Sequence, residues 1–419
     1  MRAGPLSEDR VLTPSIRSGF AWTLAGNGFY AASQWAILSL TAKLGGPEML
    51  GQYALVVALT TPVMMLAHLN LRAVLATDVS RRHPFGDYLA VRLAASALGI
   101  LAVAWQAAAS GRSRGLAAMI LLAGLAQSSE AVSDIFYGAL QRRGEMPPIG
   151  RSMIARGLLS MGAFGLTLYG VGDLAWALAA MAAARIAVLV AYDWPRGTAG
   201  ESLARSGTPA AKSILRAAFP LGLVLLLISL NTNLPRYVIE RRLGMRDLGA
   251  FAAVAAFMTV GSTVVNALGQ SATPQLARHA DAGERKEFLR LTVGLAGWVF
   301  ALGVAGVAAA LALGPTILAL VYRGDFAGYS GLLVAVMGAA TLGYVGIALG
   351  FAITAARAFD AQVPLFCLVA AVCGGASWLL VPRFGLSGAV LALGLAACAQ
   401  IAGEAVLLGR ALNRMAAAR

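Results

Sequence analysis

The residues with most chemistry in them are few and lie inside apolar sequence. The stretch LAHLNLRAVLATD (66–78) carries His68, Asn70 and Arg72. His68 and Arg72, four apart near the end of one lipid-embedded helix, are expected to share a face. A second stretch, LAQSSEAVSDIFYGALQRR (125–143), spaces Gln127, Glu130, Asp134 and Tyr137 as a 3-4-3 stripe, again one helix face. Gln400 and Glu404 repeat the four-residue spacing near the C-terminus. Two chemistries fit these types. Arginine, histidine and amide donors suit an anionic, hydroxyl-rich ligand. Carboxylates in apolar helices suit a proton or cation relay, or pair structurally with arginine. Glu130, Asp134 and Glu404 are therefore candidates for ion coupling, with Arg92, Arg156 and Arg185 as the alternative structural partners. Arg72 has its own simpler reading, snorkelling to the headgroups, and His68 could bond a neighbouring helix.

Several classes are excluded by absence. No Walker A, GxSxG or HExxH sequence occurs, so neither nucleotide-driven pumping nor familiar hydrolysis is expected. Three cysteines, Cys367, Cys373 and Cys398, lie in apolar runs, and His68, His83 and His279 are scattered. Neither set has metal-ligand spacing. No metal, no cofactor and no catalytic residue is expected, and the chain is read as a non-enzyme.

The elements that must position these residues are membrane spans. The chain is 59% hydrophobic and only 12% charged, against about a quarter charged in soluble proteins, and its mean hydropathy is +0.74. Twelve apolar runs are long enough to cross a bilayer: 18–42, 51–72, 88–109, 115–140, 150–169, 173–192, 214–236, 248–271, 289–313, 330–352, 363–381 and 385–409. With the N-terminus inside, 24 of the 33 Lys and Arg fall on the cytoplasmic side, which predicts both termini cytoplasmic. The net charge of +14 is thus spread over short loops, and nucleic acid is not an expected partner. The polar stretch WPRGTAGESLARSGTPAAK (194–212) reads as a cytoplasmic linker. It separates an N-terminal six-helix lobe, 1–193, from a C-terminal one, 213–419. No outer loop is long enough to be a domain, which weighs against a membrane polymerase or ligase.

The halves repeat. Shifted by 198 residues, GPEMLGQYALVVA (46–58) overlies GMRDLGAFAAVAA (244–256). Gly46 meets Gly244, Leu50 meets Leu248, and Gly51 meets Gly249. A parallel repeat implies a pseudo-twofold axis along the membrane normal. The same shift lays His68 over Asn266, Arg72 over Gln270, and Ser33, Gln34 and Trp35 over Asn231, Thr232 and Asn233. Matched polar positions in four repeat-related helices predict a common wet cleft, with Asn27, Gln34, Asn70, Asn231, Asn233, Asn266 and Gln270 as further substrate-binding candidates. Pro62 and Pro220 should bend two of these helices. Gly346 and Gly350 in GIALG read as a close-packing pair.

Six stretches carry a resemblance: GGPEMLGQYALVVALTTPVMMLAHLNLRAVLATD, FGDYLAVR, YGALQRRGEMPPIGRSMIARG, LISLNTNLPRYVIERRLG, ALGQSATPQLAR and LALVYRGDFAGYS. Together they resemble the Wzx-type polysaccharide flippases of the multidrug/oligosaccharidyl-lipid/polysaccharide exporter (MOP) superfamily. The resemblance implies an all-α integral membrane protein of twelve transmembrane helices, in two six-helix lobes around a central V-shaped cavity. It implies flipping of polyprenyl-diphosphate-linked oligosaccharide across the bacterial inner membrane, with polysaccharide polymerase or assembly proteins as partners beside the lipid bilayer. Arg17, Arg72 and Arg236 are the positions it offers for the diphosphate. A cation-coupled drug or metabolite antiporter of the same superfamily is the alternative.

Overall fold

A computed structural model describes residues 14–78, 81–356 and 362–417, and side chains at Gly19 and from Ala21 to Asn413. The described chain is helical, without strands: α1 (Pro14–His68), α2 (Leu71–Thr77), α3 (Phe85–Ala109), α4 (Arg114–Arg142), α5 (Met146–Val171), α6 (Leu174–Val188), α7 (Trp194–Thr198), α8 (Thr208–Arg242), α9 (Met245–Asp281), α10 (Arg285–Val321), α11 (Ser330–Ala355) and α12 (Gln362–Ala417). A π turn, Leu189–Asp193, joins α6 to α7.

Ten helical stretches among the described residues are long and apolar enough to cross a membrane. Two of them, Ala21–Thr77 and Gln362–Asn413, run to 57 and 52 residues. At about 1.5 Å per residue each is more than twice the thickness of a bilayer core. Each also contains one glycine off the helical path, Gly46 (φ 71°, ψ −170°) and Gly385 (φ 58°, ψ −137°). These glycines turn the chain, so each stretch makes two crossings and the total is twelve. The protein is a multi-pass membrane protein.

By packing, the described chain forms two compact units. Unit 1 holds the residues up to Ile37 and Ala67–Pro220; unit 2 holds Leu38–Leu66 and Leu221–Arg419. The units differ from the halves of the repeat because the second crossing packs on α9. Its contact is symmetric. A Cβ on Gly51 would lie 1.9 Å from the carbonyl oxygen of Met245, and one on Gly249 would lie 1.8 Å from that of Pro47. Residues 47 and 245, and 51 and 249, are repeat partners, so the two helices cross at equivalent glycines as across a local twofold axis. Gly46 and Gly244 adopt matching backbones, the latter at φ 96° and ψ −176°. Only glycine enters this region without strain. Leu50, Leu248, Phe251 and Val254 are buried around the crossing.

In unit 1, α4 packs on α2, α3 and α6, and α5 packs on α6. Leu71, Leu75, Phe85, Tyr88, Ile135 and Phe136 form an apolar cluster within it. In unit 2, α11 packs on α9, α10 and α12, with Val265, Val299, Ala340 and Tyr344 at the centre. The stretch expected as a plain linker is ordered on unit 1. Its start is α7, and the next residues are pinned to the ends of α3 and α4. Glu201 takes Arg142 at 2.7 Å and Arg143 at 3.3 Å, and Arg143 also donates to the carbonyls of Ala199 and Arg196. Asp87 accepts from the Ser206 amide at 3.0 Å.

Candidate functional site

The polar residues of unit 1 gather around α4. Its carboxylates follow one stripe, as its spacing dictates, and arginines reach them from other helices. Glu130 Oε2 lies 3.1 Å from Arg185 Nη1 of α6. The same guanidinium donates to Gln34 Oε1 of α1 at 2.8 Å. One turn along, Asp134 meets His68 Nε2 at 3.3 Å and Arg72 Nη1 at 3.2 Å. Arg72 also donates through Nε to Gln141 Oε1 at 3.1 Å, and its guanidinium lies 5.6 Å from the centre of the Tyr137 ring. Arg156 of α5 stacks on that ring as well but pairs with Asp193, at 2.7 Å. Ser152 completes this group, bonding both Asp193 and the Tyr137 hydroxyl.

Structure and sequence part company at His68 and Arg72. They do not share a helix face. α1 ends at His68, and Leu69 (φ 52°) and Asn70 (φ 48°) are both left-handed. Asn70 caps α2 without a side-chain bond. The two side chains converge because Asp134 bridges the break, with His68 on one side of it and Arg72 on the other. Helical spacing thus gave the right pair for the wrong reason. The repeat-equivalent stretch behaves differently, since α9 runs unbroken through Asn266 and Gln270. There Asn266 donates to its own helix at Ser262, and Gln270 is exposed.

The other candidates are dispersed. Asn27 is exposed and donates to the Thr23 carbonyl at 2.8 Å. In α8, Asn233 is buried and donates to the Ser229 carbonyl at 2.8 Å, while its Oδ1 accepts from Arg236 at 3.2 Å. Arg236 Nε and Asn231 Oδ1 are buried without a hydrogen-bond partner among the described residues. Arg17 falls in α1, but its side chain lies outside the described ones. Glu404 is buried in unit 2, where Gln400 donates to its Oε1 at 3.0 Å and Oε2 has no partner. Gly346 and Gly350 are the near wall: Cβ atoms there would come within 3.0 Å of Gln400 and 3.3 Å of Glu404.

Four participants escaped the sequence reading, Ser152 among them. Asp193 and Tyr30, whose hydroxyl bonds Glu130, end or interrupt apolar runs with no stripe to mark them. Gln141 lies beyond the expected end of its span. Of the three arginines expected to pair with Glu130 or Asp134, only Arg185 does so. Arg156 takes Asp193 instead, and Arg92 is buried with Nη1 on the Ala67 carbonyl at 3.3 Å.

Comparison with known structures accounts for this architecture. An inward-facing MATE family transporter of the MOP superfamily superposes with a TM-score of 0.74 at 14% identity, covering 94% of this chain and 95% of that one. A MOP superfamily transporter from Pyrococcus furiosus gives 0.66 at 14% identity, covering 96% and 95%. The chain has the MOP-superfamily fold. The twelve crossings agree with that fold. No family model matches the sequence. Among curated proteins, the capsular polysaccharide biosynthesis protein CapF of Staphylococcus aureus is 25% identical over 383 residues, 89% of this chain and 94% of CapF. On the MOP fold, the charged cluster around α4 belongs to the first half of the repeat, and Glu404 to the second.

Proposed function

We propose that this protein is a flippase that carries polyprenyl-diphosphate-linked oligosaccharide units across the bacterial inner membrane by alternating access, for surface polysaccharide synthesis. Both termini are cytoplasmic in this reading. Its near full-length similarity to a capsular polysaccharide biosynthesis protein supports the pathway. One structural observation carries the choice of cargo: in unit 1 the span carboxylates Glu130, Asp134 and Asp193 are all engaged by arginine. A site for a cationic drug needs a carboxylate free to take the cation. Here the groups left for a ligand are guanidinium, imidazole and amide donors, which match phosphate and hydroxyl oxygens. The diphosphate and sugars cannot cross hydrocarbon unaided, whereas the prenyl tail stays in lipid. Arg72, His68, Asn70 and Gln34 are the proposed contacts in unit 1. Asn231, Asn233 and Arg236 on α8, with Asn266 and Gln270 on α9, are those of unit 2, and Asn27 and Arg17 belong to the first crossing.

Removing the protein should build up lipid-linked oligosaccharide on the cytoplasmic face, and the wild-type gene should clear it. Normal glycan export without build-up would sink the proposal. A cation-coupled antiporter has one observation in its favour, the carboxyl of Glu404, buried without a cationic partner among the described residues. Vesicles under proton or sodium gradients separate the readings, because drug efflux that collapses in Glu404→Gln would point to the antiporter.

A further inference from the structure

The arginine–carboxylate pairs of unit 1 are not alike. Arg156 and Asp193 are sealed, at 2% and 1% side-chain exposure, and both Asp193 oxygens are bonded. Arg142 and Glu201 are nearly as closed. At Asp134 the contacts are longer, 3.2 and 3.3 Å, and the group is open: 16% of Asp134 and 25% each of His68 and Arg72 are exposed. Asp134 Oδ2 makes no well-formed hydrogen bond, and neither does His68 Nδ1.

Charge is also out of balance there. Behind the group lies Arg92, fully buried, with Nε and Nη2 unpartnered. No carboxylate is in ion-pair contact with it among the described residues; Asp134 is the one whose field reaches it. Two arginines therefore share a single carboxylate, and His68 adds one more donor beside it. An uncompensated cation in a membrane lobe is costly, and a ligand bringing more negative charge and more acceptor oxygens than one carboxylate would relieve it. A diphosphate does both, and the planar guanidinium of Arg72 can donate to it in pairs.

We infer that Arg72 and His68, with Arg92 behind them, form a phosphate-type anion site, and that Asp134 is its resident counter-anion, displaced when the ligand arrives. Arg72 and His68 are the contact residues. Arg92 contributes charge and holds the Ala67 carbonyl. The site takes a phosphoric anhydride or phosphate ester, and only the source of that phosphate rests on the flippase reading.

The test is a calorimetric titration of the purified full-length protein in detergent with inorganic pyrophosphate. Removing the competitor in Asp134→Asn should tighten binding about tenfold or more, the scale of one charged hydrogen bond. Adding Arg72→Ala to that variant should abolish the gain, and Glu287→Gln, at the exposed pair with Arg290 in unit 2, should leave binding unchanged. Unchanged or weaker binding in Asp134→Asn overturns the inference and makes Asp134 a structural partner. If that variant does not purify in folded form, wild type is compared with Arg72→Lys. Pyrophosphate should raise the Tm of the first and not of the second, and equal shifts overturn the inference. Nanodiscs with and without phosphatidylglycerol separate the sources. A gain in Asp134→Asn for the phospholipid alone keeps the anion exchange but counts against the flippase reading.

Discussion

At the scale of single residues, the same ion-pair chemistry has different consequences according to how closed it is. Asp193 has no water to fall back on, so Arg156→Ala leaves a buried carboxylate unpaired. The expected loss is about 3–5 kcal/mol, read as a fall in the Tm of the purified protein. Arg156→Lys should recover part of it. Arg185→Ala should cost less, because Glu130, 37% exposed at its side chain, can be hydrated. That Glu130 would find an arginine was readable from the sequence, which offered Arg92, Arg156 and Arg185 as alternatives, since a stripe of carboxylates in an apolar span demands cations at the same depth. The partner of Asp134 was not. The sequence offers four arginines near one end of the first lobe, and which of them reaches which carboxylate depends on helix rotation, which spacing within one helix does not encode.

At the scale of elements, glycine does two separable jobs at the crossing of the second span with α9. At Gly46 and Gly244 it supplies a backbone that other residues enter only with strain, and nothing lies within 4 Å of an added Cβ. Alanine at either should cost about 1–3 kcal/mol, and by similar amounts, since the dihedrals match. At Gly51 and Gly249 the backbone is ordinary helix, and the obstacle is the carbonyl of the opposite helix. Alanine there should also cost about 1–3 kcal/mol, from overpacking, and the double variant should be non-additive because both changes open the same contact. Gly162→Ala in α5, with nothing within 4 Å, should instead raise the Tm slightly. Thermal unfolding of the set distinguishes the three causes. The repeat that exposed this crossing was visible in GPEMLGQYALVVA and GMRDLGAFAAVAA. The break after His68 was not. Leucine at 69 carries no stop signal, asparagine at 70 carries a weak one, and the matching segment in the other half keeps its helix. Tertiary packing of Leu71 and Leu75 into unit 1 decides the break.

At the scale of the whole molecule, fold class was the most legible property, because hydropathy and length dictate crossings with little help from tertiary detail. The turns at Gly46 and Gly385 were both marked in the sequence by a glycine next to apolar sequence. The proposed topology, twelve crossings with cytoplasmic termini, predicts the turn at Gly111 outside and the turn at Gly283 inside. In a background lacking Cys367, Cys373 and Cys398, a membrane-impermeant thiol reagent on intact cells should label Gly111→Cys and not Gly283→Cys. Labelling of both, or of the second alone, would overturn the topology.

The ordered stretch after α7 has a bearing on how this chain could be divided. Residues 199–206 are fastened to the ends of α3 and α4 by Glu201, Arg143 and Asp87. Gly207, with φ at 91°, turns the chain directly ahead of α8. A gene split there, with the fastened strand left on the upstream fragment, should yield two pieces that co-purify. A split at Thr198 would strip that segment from its seat, leaving Asp87 and Arg142 without their counterparts.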